Sequence, residues 1–273
     1  MSVWFITGIS RGLGRALAEA ALGRGHTVVG TTRSGECDLA VADGRLRTVA
    51  LDITVPEHAA AAVAAAHEFA GRIDVVVNNA GYGLLGAIEE TSPSEAEHVF
   101  DVNFFGALRV VRAALPVLRE QRCGHVVNIS SIAALAPGGG SGLYAAAKAA
   151  LGGMSEALAQ EVAPLGIKVT AVEPGQFRTD FLSGRSRRNT ATAIDDYAAT
   201  SGSVTALEGK HGKQFGDPAR AAEVILDAVA DAEPPMHLVL GADALDRTRA
   251  NADRLLGDLR RWEGASAATA FPS

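Results

Sequence analysis

Four apolar residues, Val3-Trp4-Phe5-Ile6, run without a polar interruption into Thr7-Gly8-Ile9-Ser10-Arg11-Gly12-Leu13-Gly14, and a helix is expected from about residue 15 to 24. An unbroken apolar strand suits a sheet buried on both faces. A glycine-rich turn between such a strand and a helix gathers backbone N–H groups and the positive end of the helix dipole at one point, where a phosphate can bind. Gly8, Gly12 and Gly14 follow a G-x-x-x-G-x-G spacing rather than the commoner G-x-G-x-x-G. A strand, a turn of this kind and a helix form a phosphate-binding βα unit.

The same alternation continues along the chain. Further apolar strands are expected at 27–31, 46–51, 73–77, 126–129, 167–172 and 237–240. Helices are expected at about 56–70, 94–120, from the alanine-rich segment around Tyr144 to about 161, at 218–230 and at 242–262. Strands alternating with helices predict an α/β fold, a parallel sheet with helices on both faces. The 273 residues are 48% hydrophobic, enough for a sizeable core, and neither a repeat nor a linker divides them, so a single domain over 1–273 is expected.

Composition excludes several classes. A net charge of -6 argues against a general nucleic-acid surface. No apolar run approaches the roughly 20 residues of a membrane span, and with the first strand opening at Val3 no leader is expected. Cys37 and Cys123 make no disulfide framework, which points to a reducing, cytoplasmic setting. His211 has no second imidazole at ligand spacing, so no metal is expected.

The end of the second strand reads Thr32-Arg33. A carboxylate there would accept hydrogen bonds from the ribose of NAD. Arginine instead grips a 2′-phosphate, and Arg11 adds a second cation on the same side. The expected cofactor is therefore NADP(H). Asp52, closing the third strand beside Ile53, is suited to accept from an adenine amino group.

Ser131 follows the 126–129 strand, and Tyr144 and Lys148 lie one helical turn apart. The three could converge on one small volume. A free phenol titrates near 10. An ammonium ~4 Å away contributes ~4 kcal/mol at an effective dielectric of ~20, enough to draw the phenol toward 7, where a general acid/base works best.

These motifs resemble the short-chain dehydrogenase/reductase family. The resemblance runs over residues 3 to 180. It rests on the glycine turn, Asn78-Asn79-Ala80-Gly81, Asn103, Ser131 thirteen residues before Tyr144, Tyr144-x-x-x-Lys148, and Pro174-Gly175. It implies a Rossmann-type doubly wound sheet with a substrate lid, here about 181–216. It further implies Tyr144 as acid/base, Lys148 lowering its pKa and holding the nicotinamide ribose, Ser131 orienting the substrate oxygen, and Asn103 holding a water that links Lys148 to solvent. Asn79, Ala80, Gly81, Pro174, Gly175, Phe177 and Thr179 would complete the cofactor site. Leu84, Leu85, Ile132, Leu135 and Phe181 would form an apolar pocket for a small-molecule carbonyl or alcohol substrate. Gly81-Tyr82-Gly83-Leu84-Leu85-Gly86 and the helix beyond residue 242 are similar to 17β-hydroxysteroid dehydrogenase-like members. Such enzymes pair through the helices carrying Asn103 and Tyr144, so a homodimer is expected, with a tetramer as the alternative. Two other functions stay open: a catalytically silent NADP(H)-binding regulator, and an epimerase or dehydratase acting on a nucleotide-sugar.

Overall fold

The structure, a computed structural model, describes residues 1–39, 44–209 and 211–271. In chain order, β1 (Val3–Thr7) leads through the glycine turn into α1 (Gly12–Gly23) and β2 (Thr27–Thr32). Next come β3 (Leu46–Ala50), α2 (Pro56–Ala70), β4 (Val75–Asn78) and a short β5 (Gly83–Leu85). The middle of the chain holds α3 (Pro93–Phe100), α4 (Gly106–Gln121), β6 (Gly124–Ile129), α5 (Ile132–Leu135) and α6 (Gly142–Val162). It ends with β7 (Ile167–Pro174), β8 (Arg187–Asn189), α7 (Ala198–Glu208), α8 (Pro218–Ala230), β9 (His237–Leu240) and α9 (Ala242–Ala267).

Seven strands form one parallel sheet in the order β3-β2-β1-β4-β6-β7-β9. Strand side chains alternate between faces. Trp4, Ile6, Val28, Val77 and Val172 pack under α1 and α8, while Phe5, Val29, Val76, Val126 and Val169 pack under α2, α4 and α6. Burial on both faces is why these strands read as unbroken apolar runs. The chain winds one way from β1 to β3 and the other way from β4 onward. The carboxyl ends on either side of that switch open a crevice, the usual ligand position in such sheets.

Three expectations need adjusting. The helix expected over 94–120 begins at Pro93, capped by Ser92 in a capping box with Glu95, and is broken by a π-helical turn at Asp101–Phe105 that contains Asn103. The 181–216 segment is more than a polar lid. It contributes β8, which pairs in parallel with β5 in a second, two-stranded sheet, and it contains α7 (its Lys210 lies outside the described residues). The last helix, expected to end near 262, extends to Ala267, and residues 272–273 lie outside the described residues.

Candidate active site

The glycine turn is built by its neighbours across the crevice. Gly8 and Gly12 take left-handed backbone, at φ +75° and +60°, which side chains other than glycine rarely adopt. Asn79, just past β4, donates through Nδ2 to Thr7 O at 2.9 Å and Gly8 O at 3.0 Å. Thr7 Oγ1 accepts from the N–H groups of Asn79 and Ala80, each at 3.0 Å. Gly14 makes room for this brace: a Cβ there would lie 2.2 Å from Asn79 Nδ2 and 2.4 Å from Gly8 O. Gly14 and Asn79 thus shape the turn, and Gly14 itself does not line the crevice. Gly8, Ser10, Arg11, Gly12 and Leu13 of the turn line the crevice, at the N-terminus of α1, where a diphosphate fits.

At the ends of β2 and β3, Arg33 is exposed and Arg11 half-buried, and both line the crevice. Thr32 is buried, its hydroxyl donating to Glu36 O. Asp52 accepts through Oδ1 from Thr54 Oγ1 at 2.6 Å and Thr54 N at 3.0 Å. Those bonds hold its carboxyl below the usual range, with a smaller push from Arg33. A charged Asp52 is therefore available as an acceptor.

The other end of the crevice is made by β6, α5 and α6. Ser131 caps α5, its Oγ accepting from Ala133 N at 3.1 Å. The Ser130 hydroxyl donates to Lys148 O at 2.9 Å, and Lys148 Nζ donates to Ile129 O at 2.7 Å, so the strand end grips α6 twice. Tyr144, Lys148 and Ser131 are each less than 10% exposed, and all line the crevice. Their protonation differs from the coupled pair expected from sequence. Burial pushes the Tyr144 phenol up to about 12, with the Ser131 hydroxyl opposing the rise. Burial also draws the Lys148 ammonium down to about 8. Spacing along a helix could not show this, because desolvation acts on both groups at once and disfavours each charged form.

Asn103 lies outside the crevice lining. Its Nδ2 donates to Tyr82 O at 2.8 Å and its Oδ1 accepts from Tyr82 N at 2.9 Å. Both ends of the amide thus hold the chain just after Gly81.

One cavity of about 690 Å³ joins the two ends. It is lined by Gly8, Ser10, Arg11, Gly12, Leu13, Arg33, Asp52, Ile53, Asn79, Ala80 and Gly81, and by Pro174, Gly175, Phe177 and Thr179. Of the five expected pocket residues, Leu85, Ile132 and Phe181 line it. Leu84 is buried but absent from the lining, as alternation along β5 turns it away from the side of Gly83 and Leu85. Leu135 packs instead with Ile132, Ala136 and Ala244 beneath α9. Sequence reasoning missed Tyr82, Gln214, Arg185, Arg187, Arg188 and Arg247. The clustered arginines of 185–188 were visible in the sequence, whereas nothing local marks Gln214 or Arg247. Among the described residues no His, Cys, Asp and Glu cluster could hold a metal, and no helix is long and apolar enough to cross a membrane.

Comparison with known proteins identifies the family and the fold. Residues 2–190 match the family described as short chain dehydrogenase. The chain is 39% identical to "Oxidoreductase BOA17" of Botryotinia fuckeliana, over 98% of this chain and 99% of that protein. It is 35% identical to a 3-ketodihydrosphingosine reductase of Bacteroides thetaiotaomicron, over 86% of each. Among solved structures, a short-chain dehydrogenase from Streptomyces avermitilis superposes with a TM-score of 0.92 at 41% identity, over 99% of this chain and 100% of that one. A short chain dehydrogenase from Burkholderia cenocepacia in complex with NADP gives 0.74 at 27% identity, over 95% and 96%.

Proposed function

The chain belongs to the short-chain dehydrogenase family, and from that premise we propose that it is an NADP(H)-dependent oxidoreductase that reduces a ketone or aldehyde, or oxidises the corresponding secondary alcohol. The observation that carries this reading is that buried Ser131, Tyr144 and Lys148 line the same cavity as the glycine turn.

The bound nicotinamide would supply or accept the hydride; orientation and the proton are left to the protein. Gly8, Ser10, Arg11, Gly12 and Leu13 would hold the diphosphate, Arg33 and Arg11 the 2′-phosphate, and Asp52 the adenine. Tyr144 keeps its proton at neutral pH and acts as the acid toward a substrate oxygen. Ser131, adjacent to it, holds that oxygen by a hydrogen bond. Lys148 holds the nicotinamide ribose, and its positive charge favours the phenolate left behind. A ketone-reducing relative and NADP-bound neighbours of similar fold agree with this reading.

The substrate is a carbonyl compound with an apolar body, lodged against Leu85, Ile132 and Phe181, in keeping with the 17β-hydroxysteroid dehydrogenase-like subgroup. The protein acts in the cytoplasm as a homodimer through α4 and α6, without nucleic acid or membrane. Loss of NADPH absorbance over a panel of ketones and aldehydes tests the activity. A protein that binds NADPH yet turns over none of them would favour the silent regulator, and tighter binding of NADH than NADPH would overturn the cofactor assignment.

A further inference from the structure

An exposed arginine in a lid is ordinarily a solvated charge, but Arg188 is seated. It belongs to β8, whose pairing sets it against Leu84 of β5. Its guanidinium carbon lies 5.3 Å from the centre of the Tyr82 ring, which on its own side packs 5.4 Å from the His98 ring. Asn103 clamps the Tyr82 backbone at both N–H and carbonyl, so the ring is a fixed platform. Tyr82, His98 and Arg188 all line the cavity. A guanidinium stacked on a ring uses its face, and its N–H donors, which lie in its plane, stay available to another partner. Among the described residues Arg188 joins no ion pair and donates no side-chain hydrogen bond. Glu95, the carboxylate near enough to act on Tyr82, accepts instead from the Ser92 hydroxyl and N–H and from Ala191 N.

The platform stands beside the proposed proton donor. A Cβ on Gly83 would lie 3.1 Å from the Phe181 ring, and that ring packs 5.8 Å from the ring of Tyr144. A Cβ on Gly81 would lie 3.5 Å from Lys148 Nζ. Tyr82 is therefore flanked on both sides by contacts to the Tyr144–Lys148 end of the cavity. Arg11 and Arg33, proposed for the 2′-phosphate, lie at the ends of β1 and β2. Charge points the same way. Asp52 and Asp180 are the only acids in the described lining, and Asp52 is at the β3 end. In a chain of net charge -6, this cavity is basic: Arg185 and Arg247 line it as well. Cations left without carboxylates in a cleft attract and concentrate anions.

We propose that Arg188, held over Tyr82, binds an oxyanion carried by the substrate, a carboxylate or a phosphate. The substrate is then a carbonyl compound with an apolar body and an acidic end. The inference deepens the NADP(H) oxidoreductase reading above and rests on it. The carbonyl sits between Ser131 and Tyr144, the body lies against Leu85, Ile132 and Phe181, and the acidic end reaches the guanidinium. The planar fork of arginine matches either oxyanion through two parallel N–H bonds. Because Arg188 is carried by the lid and Tyr82 by the segment after β4, an anion held there also ties the lid to the rest of the cavity.

The test is NADPH-dependent reduction of straight-chain oxo acids of graded length, their methyl esters and the matching oxoalkyl phosphates. Wild type and Arg188→Gln are compared, with NADPH titration and thermal unfolding of each. Wild type is expected to favour a charged member over its neutral ester by about tenfold in kcat/KM, chiefly through KM, the size of one charge-assisted hydrogen bond. Raised salt should shrink that preference. Arg188→Gln should lose it with NADPH affinity nearly unchanged, and Arg188→Lys, which keeps the charge without the fork, should keep part of it. Whichever of acid and phosphate is preferred names the oxyanion. Wild type that reduces the esters as well as the charged members overturns the assignment. So does a variant that loses acid and ester equally, the signature of a purely structural arginine, or one whose NADPH binding weakens, which would give Arg188 to a cofactor phosphate. If Arg188→Gln does not fold, Arg188→Met carries the same comparison. Wild-type protein that binds NADPH and reduces no member of the panel removes the oxidoreductase reading itself.

Discussion

The floor and the lid of the crevice are held by different kinds of bond. On the floor, at the ends of β1, β4 and β6, the contacts join strand ends to one another and to α6. Asn79 reaches Thr7 and Gly8, Ser130 reaches Lys148 O, and Lys148 reaches Ile129 O. Beyond the short β5–β8 pairing, the lid is anchored by three carboxylates. Glu90 accepts from Ile194 N at 2.9 Å and from Ala87 N at 2.8 Å, Glu95 accepts from Ala191 N at 3.0 Å, and Glu89 accepts from the Tyr197 hydroxyl at 2.7 Å. Residues 191–193 and 195–196 are exposed, whereas the floor strands are almost wholly buried. The groups proposed to transfer the proton sit where burial is greatest, and the segment proposed to face the substrate sits where local opening is cheapest.

The largest effect should come from the floor. Tyr144→Phe keeps the buried ring and removes the proton donor. The expected result is a fall in kcat of about 10²–10⁴, the usual contribution of a general acid, with NADPH affinity nearly unchanged. Lys148→Ala should lose both, since one ammonium serves both. Stopped-flow single turnovers and equilibrium titration separate the two quantities. Substantial turnover by Tyr144→Phe would place the proton elsewhere.

Gly14→Ala comes next. Its added carbon would meet a backbone oxygen at 2.4 Å as well as the Asn79 amide, so the turn itself must shift. A destabilisation of about 1–3 kcal/mol is expected, in the range of an overpacked interior. NADPH binding should fall further than stability alone explains, because the displaced atoms belong to the turn proposed to hold the diphosphate. Urea unfolding and a cofactor titration, read together, measure both.

Much of the floor was legible because its demands act on residue type at short range. Residues other than glycine rarely take the backbone of Gly8 and Gly12, and a helix must bring Tyr144 and Lys148 to one face. The lid was not legible in the same way. Its anchors join residues 96 to 108 apart in sequence, and a glutamate that accepts a distant N–H looks like any surface glutamate. The β5–β8 pair is three residues long on each side and carries no periodic signal. Asn103 could be read as a buried amide, yet its use, clamping Tyr82 from inside a π-helical turn, depends on a backbone irregularity that apolar periodicity does not report. The raised phenol of Tyr144 was missed for a related reason: burial is a property of the assembled crevice.

The lid anchors give a pH test of the contrast. Backbone N–H groups, that of Ile194 first and that of Ala87 second, hold the Glu90 carboxyl below its ordinary range. A carboxyl lowered in the folded state contributes stability that is present above its unfolded pKa and lost as pH falls through the folded one. The Glu95 carboxyl, lowered by the Ser92 hydroxyl and then the Ser92 N–H, follows the same sign. On acidification below the usual carboxylate range, the amides of Ala191 and Ile194 should lose hydrogen-exchange protection before those of β4 and β6. Glu90→Gln should move the loss of protection at Ile194 to a weaker dependence on pH. Simultaneous loss across lid and sheet would mean that the lid does not open on its own.

The smallest effect is expected at the far end of α9, where one helix contains both extremes. Its first turns belong to the floor. Ala244 is buried against Ile132 and Ala136, Asp243 accepts from Gln176 N at 3.0 Å, and Asn251 Nδ2 donates to Leu135 O at 2.7 Å. Arg247 donates to Ala136 O. Gly175 has no side chain because a Cβ would lie 2.4 Å from the Asp243 carboxylate. Beyond residue 251 the described part of the helix is exposed on every side, Leu255, Leu256, Leu259 and Trp262 included. Surface positions without partners contribute within about 0.5 kcal/mol each, so deleting residues 255–273 from the monomer should leave unfolding, NADPH binding and turnover close to unchanged. Asn251→Ala, one turn earlier, removes a hydrogen bond worth about 0.5–1.5 kcal/mol and should exceed the whole deletion in its effect on unfolding. The comparison is made in dilute protein, with light scattering to confirm the mass. A deletion that costs more than Asn251→Ala, and more so at higher concentration, would show that the leucine and tryptophan face packs against a second copy of the chain.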